Sequence, residues 1–214
     1  MQTPVQYAKR IRNDYVFRTR LSLPVSAAAS VVTCCYYLIT ALSVHTMRWQ
    51  FGIALWYAVL YFAKLFLIAC FARRSFHPIA AAIVTAWFLL ALGTCSFFLA
   101  QILHFGGVQL TLPNSSIVLN GTIFLSTVSA FSGRRFLRLH TRESAYFRCR
   151  KYLARTECLF ALILLFVKLI EIYSWTHDSD LLYARYLGGL LISVYALTLC
   201  ALLCASVTNR LTKK

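Results

Sequence analysis

Acidic side chains are scarce in this chain: six Asp and Glu stand against 22 Lys and Arg, a formal charge of +16. No two aspartates share an apolar run, which leaves no acid pair for chemistry inside a membrane. CxxC pairs are absent too. Of the eight cysteines, all but Cys149 fall inside or at the ends of apolar runs, the wrong distribution for a secreted disulfide framework or for zinc and redox pairs. They read as small, soft packing residues. The sequence has no GxGxxG, P-loop, GxSxG or HExxH pattern, so no enzyme class is indicated and no cofactor is expected.

What the chain has in abundance is apolar length. At 60% hydrophobic content and a mean hydropathy of +0.68, its 214 residues are too apolar for an ordinary soluble domain and long enough for several membrane spans. A charge of +16 would also suit nucleic acid, so the placement of the charge decides. Arg134, Arg135, Arg138, Arg142, Arg148, Arg150, Lys151 and Arg155 crowd one connection between apolar runs, and almost no basic residue lies within a run. Topology explains that pattern and nucleic acid does not, because cytoplasmic connections of spanning helices retain Lys and Arg. Nucleic acid is therefore excluded as a partner, and anionic lipid headgroups or a protein partner are the expected company of this connection.

The expected architecture is all-α: a polytopic bundle of six transmembrane helices in the plasma membrane. The spans fall at about 21–44, 49–71, 79–103, 112–131, 158–175 and 182–207. A basic interfacial arm, 1–20, precedes them, a basic connection, 133–156, joins the fourth to the fifth, and a basic tail, 208–214, follows. The fourth run is the most dilute, with Pro113 and Asn114 at its start and a series of Ser and Thr within it, and its crossing decides the orientation of everything after it. With six crossings, every basic residue except Arg48, Lys64, Lys168 and Arg185 lies on one side, which places both termini in the cytoplasm. Short outer connections predict three antiparallel hairpins, one with two, three with four and five with six. The central connection is long enough to form a helix of its own on the membrane surface, with Tyr146, Cys149 and Leu153 at helical spacing.

Polar residues within the spans are the candidate site. Ser26, Ser30, Thr33 and Tyr37 recur on one face of the first span, and Thr122 and Ser126, with Asn120 nearby, mark the fourth. Such stripes either let backbones approach closely or line a shared cavity. Lys64 shares a face with Tyr57 and Tyr61, while Lys168 and Glu171 stand three apart and can pair along their own helix. Intramembrane charges of this kind need partners or water. His45, His104 and His177 fall at the outer ends beside Asp178 and Asp180, but they come from unlinked loops, and no metal site is assigned to them.

The segment from Asp14 to Leu23, the pair Tyr36 and Tyr37, and the run from Trp49 through Tyr57, Leu60 and Phe66 to Arg73 and Arg74 resemble a group of uncharacterised six-span membrane proteins of Gram-positive anaerobic bacteria. That resemblance implies an architecture without an assigned activity. A second resemblance is to the substrate-binding components of energy-coupling-factor vitamin transporters, which carry a small-xxx-small face on their first helix, where Ser26 and Ser30 stand here. The function expected is a non-enzymatic solute-binding or transport-related protein with a small-molecule ligand. The rival is a scaffold or accessory protein that holds anionic lipid or a partner through its basic face.

Overall fold

The apolar runs fold as helices for a simple reason: a chain removed from water has to satisfy its amides and carbonyls internally. A computed structural model describes residues 15–43, 48–72, 78–105, 113–131, 141–173 and 178–211, with some side chains inside these ranges left undescribed. These residues form six helices, with no strand among them: α1 Tyr15–Ser43, α2 Arg48–Ala72, α3 Pro78–Phe105, α4 Ser115–Phe131, α5 Thr141–Tyr173 and α6 Asp178–Leu211. Three of them are long and apolar enough to cross a membrane, at Ser22–Ser43, Trp49–Cys70 and Ile79–Gln101. At about 1.5 Å per residue each reaches roughly 33 Å, the thickness of a hydrocarbon core. Ser115–Val128 and Leu187–Leu202 are shorter apolar stretches.

The pattern of burial is that of a protein solvated by lipid. Trp87 is 66% exposed, Phe98 64%, Val118 74% and Leu125 69%, while Lys64, Glu157, Asn120 and Thr33 are buried. A soluble protein of this size could not present so much apolar surface to water and keep its charges inside.

The basic connection differs from the expectation of a separate surface helix. No Pro or Gly interrupts the sequence from Thr141 to Tyr173, so the segment from Thr141 continues without a break into the fifth apolar run as one helix. Its apolar face is packed as well. Tyr146, Cys149 and Leu153 are all buried, and Tyr146 joins Cys70 of α2 and Ala81 of α3 in a small cluster. Their spacing does mark a helix face, but one that docks on other helices.

Helix pairing also departs from the expectation. α1 packs on α2 and α5 on α6, but α3 makes its most extensive contact with α6, and α4 with α5; α3 and α4 share no more than a marginal contact among the described residues. The α3–α6 seam explains why. Gly93, Ser96 and Ala100 line one side and Gly189, Ser193 and Ala196 the other, small residues that let two backbones close up. The Ser193 hydroxyl donates to the Gly93 carbonyl at 2.9 Å. Ala100 meets Gly189 while Gly93 meets Ala196, so the two helices run antiparallel.

α2 lies at the centre. Trp56, Tyr57, Leu60, Ala63, Lys64 and Leu67 are all buried at a helical period. The Trp56 ring stacks on Phe160 of α5 with centroids 3.8 Å apart, and its Nε1 donates to Ser96 of α3 at 3.1 Å.

Candidate functional site

One charge of α2 organises the interior. Lys64 is buried, and its ammonium is bonded to both oxygens of Glu157 on α5, at 2.7 and 2.8 Å. It also donates to the Ser30 hydroxyl at 2.8 Å and to the Ser26 carbonyl at 3.1 Å, both on α1. Each side chain of the pair is 3% exposed. One ion pair thus ties three helices together. Lys64 stands eight residues before the end of α2 at Ala72, or about 12 Å at 1.5 Å per residue, too deep for a snorkelling side chain.

Glu157 is a residue that the sequence reading did not single out. A local signal did exist. Leu153, Phe160, Ala161 and Leu164 stand at −4, +3, +4 and +7 from it, and all are buried, so Glu157 lies on the core face of α5.

Beside this pair lies a cavity of about 520 Å³. α1 supplies one wall, including Ser26 and Thr33, and α4 supplies the facing wall, including Thr122 and Ser126. Lys64 and Leu67 of α2 and Arg150, Leu153 and Glu157 of α5 form the back. The two polar stripes read from the sequence therefore meet across one space. Their rim, with Val25 and Val32 on α1 and Thr122 and Ser126 on α4, is exposed.

Most hydroxyls of the walls are already committed as donors. Thr33 donates to the Ala29 carbonyl at 2.8 Å, Thr122 to Val118 at 2.7 Å, Ser126 to Ile123 at 2.8 Å and Thr127 to Ile123 at 2.9 Å. These side chains keep lone pairs for a ligand but have spent their protons on their own helices.

Away from the basic end, α1 and α4 are joined by side chains. The Tyr36 and Ser115 hydroxyls share a hydrogen bond, and Asn120 Nδ2 donates to the Tyr37 hydroxyl at 2.9 Å. Tyr37 stacks on Tyr57 with ring centroids 6.2 Å apart. The Tyr57 hydroxyl and Asn120 Oδ1 are buried with no partner among the described residues. A column of buried polar groups, Asn120, Tyr37, Tyr57, Glu157 and Lys64, thus runs up the inside of the bundle next to the cavity.

Other expected residues lie apart or outside the described portion. Tyr61 is half-buried beside Phe62 and does not line the cavity. Lys168 is buried on α5, eleven residues beyond Glu157 and roughly 16 Å further along the helix. The side chain of its anticipated partner Glu171 falls outside the described residues.

Of the basic run, Arg134, Arg135 and Arg138 and the side chain of Arg142 also fall outside. Arg148, Lys151 and Arg155 are half-buried, and Arg150 donates to the Ser22 hydroxyl of α1 at 2.7 Å. His45 and His177 lie outside the described residues, as do the side chains of His104, Asp178 and Asp180. Among the described residues no three His, Cys, Asp or Glu are grouped to hold a metal.

Compared with known proteins, the chain matches no family model and no curated sequence. What the site does has to follow from its own geometry.

Proposed function

We propose that this is a six-span plasma-membrane protein, with both termini in the cytoplasm, that binds a small molecule between α1 and α4 as a solute-binding or transport-related component. The carrying observation is the 520 Å³ cavity walled by two polar stripes, with a buried ion pair at its back. Its volume lies in the range of small-molecule sites, about 300–1,000 Å³. A scaffold would be expected to have a filled interior and to display its cations. Here Arg150 is instead bonded to α1 at the cavity. The orientation is supported by the basic residues at the cavity end of the bundle, which the positive-inside rule assigns to the cytoplasm. A likeness to energy-coupling-factor substrate-binding components belongs to the same proposal. No catalytic step is assigned.

Thermal unfolding of the purified protein against a panel of small molecules tests the proposal. A ligand at about a hundred times its Kd is expected to raise the midpoint by roughly 5 °C or more. Thr33→Leu combined with Ser126→Leu, which fills the space from both walls, should abolish the rise. A panel without any stabilising compound, or an equal response in the double variant, would remove the proposal. A protein that co-purifies with the wild type and is lost when Arg148, Arg150 and Lys151 become Gln would favour the scaffold instead.

A further inference from the structure

We infer that the α1–α4 cavity selects an uncharged ligand that carries hydrogen-bond donors on an apolar body, an amide or an alcohol by chemical class; this deepens the proposal that the cavity is a binding site and rests on it.

Charge narrows the class first. Among the described lining residues the ionic groups are Lys64, Arg150 and Glu157. Lys64 and Glu157 neutralise each other in place through both carboxylate oxygens. Arg150 is engaged with the Ser22 hydroxyl and with a further partner, so neither its charge nor its N–H groups count as available to a ligand. A charged ligand of either sign would therefore enter a buried space without a counter-ion, and an unpaired buried charge is costly. A neutral ligand avoids that cost.

The polar groups of the walls then decide what the neutral ligand offers. Thr33 and Thr122 have given their protons to the carbonyls of Ala29 and Val118, and Thr127 has given its own to Ile123. The Lys64 ammonium has three N–H bonds and four oxygens around it, two from Glu157 and one each from Ser30 and Ser26, so no donor of its own remains. What remains is acceptor capacity. Each threonine hydroxyl keeps lone pairs, and the Glu157 carboxylate, with about four lone-pair sites, uses two on Lys64. Ser26 adds a hydroxyl that can turn either way. A ligand whose polar end is acceptor-only would set oxygen against oxygen, whereas an N–H or O–H donor completes the wall.

Access favours the same class. Val25 and Val32 on α1 and Val118 and Leu125 on α4 flank the rim, and all are more than 60% exposed. Such a rim meets the hydrocarbon of a surrounding bilayer, where an N–H or O–H has no partner. Moving that group from acyl chains to the acceptors of the cavity gains a hydrogen bond, while Leu23, Leu119 and Ile123 receive the apolar body.

The test uses four probes on one skeleton: phenylbutanamide, its N,N-dimethyl derivative, phenylbutanoate and protonated phenylbutylamine. Each is titrated against the full-length purified protein, and its Kd is read from the rise in unfolding midpoint. The primary amide should stabilise wild type. The dimethylamide should bind about tenfold more weakly because both donors are gone, and the two ions should be weaker still. Thr33→Val and Thr122→Val each remove an acceptor while keeping the branched shape; together they should weaken the primary amide about tenfold and leave the dimethylamide unchanged. Ala29→Trp, at an exposed position on the cavity wall, should abolish every response without disturbing the core.

Tighter binding of phenylbutanoate or phenylbutylamine than of the primary amide would overturn the inference, as would a dimethylamide equal to the primary amide or an amide indifferent to the paired threonine variants. So would silence from the amide alongside stabilisation of wild type by a charged compound that Ala29→Trp excludes; the cavity would then remain a site and only the class would be wrong. If no compound of any class stabilises wild type, or if Ala29→Trp leaves each response intact, the cavity is not a site and both levels fall.

Discussion

Glu157→Gln lowers the stability of the folded protein by about 3–5 kcal/mol, the loss expected when one member of a buried ion pair is removed and the other is left charged. Lys64 would keep the Ser30 hydroxyl and the Ser26 carbonyl, but no opposite charge. Because the pair links α2 to α5 and, through Ser26 and Ser30, to α1, the loss should register as a lower midpoint for the whole bundle. Removing both charges, with Lys64→Met and Glu157→Leu, should recover most of the stability, since two apolar side chains of similar volume often replace a buried pair without penalty. Thermal unfolding in one detergent decides. A neutral Glu157→Gln, or a double variant as weak as the single one, would mean that the pair does not hold the helices.

The second large effect is at the α3–α6 seam. A Cβ built on Gly189 would stand 2.7 Å from the Ala100 Cβ and 3.2 Å from the Ser96 carbonyl oxygen. Neither atom belongs to the free end of a flexible side chain. Gly189→Val should therefore push the two helices apart at a cost of roughly 1–3 kcal/mol. Gly121 on α4 is the internal control, with nothing within 4 Å of its built Cβ. Gly121→Ala should be neutral, or more stable by about 0.5–1 kcal/mol from helix propensity. Equal behaviour of the two variants in the same unfolding assay would contradict the close approach at Gly189.

Much of the fold follows from local signals, and the failures have a common cause. The run from Trp49 was expected to span to Phe71, and α2 covers Arg48–Ala72, because basic residues bracket an uninterrupted apolar stretch. The stripes of Ser26 and Thr33 and of Thr122 and Ser126 were visible as helical spacing, and they face one cavity because spacing fixes a face. Spacing does not say which helix a face meets. The partner of Lys64 lies 93 residues away, and no local pattern pairs them. Gly93, Ser96 and Ala100 have the small-residue spacing of an interface, yet only the assembled bundle sets them against Gly189, Ser193 and Ala196. Glu157 went unnoticed because the run of arginines beside it draws attention to the exposed charge and not to the buried face of the helix that carries it.

The proposed binding cavity between α1 and α4 lies toward the basic end of the bundle, which we propose faces the cytoplasm. Ser126→Cys places a thiol on its exposed rim. The direct measurement is alkylation of that residue by a membrane-impermeant maleimide, followed on the peptide that carries it by mass spectrometry. It should be modified in inside-out vesicles and spared in intact cells, and adding Ala29→Trp should slow the reaction. Modification from outside intact cells would contradict the orientation, and a rate indifferent to Ala29→Trp would contradict the cavity.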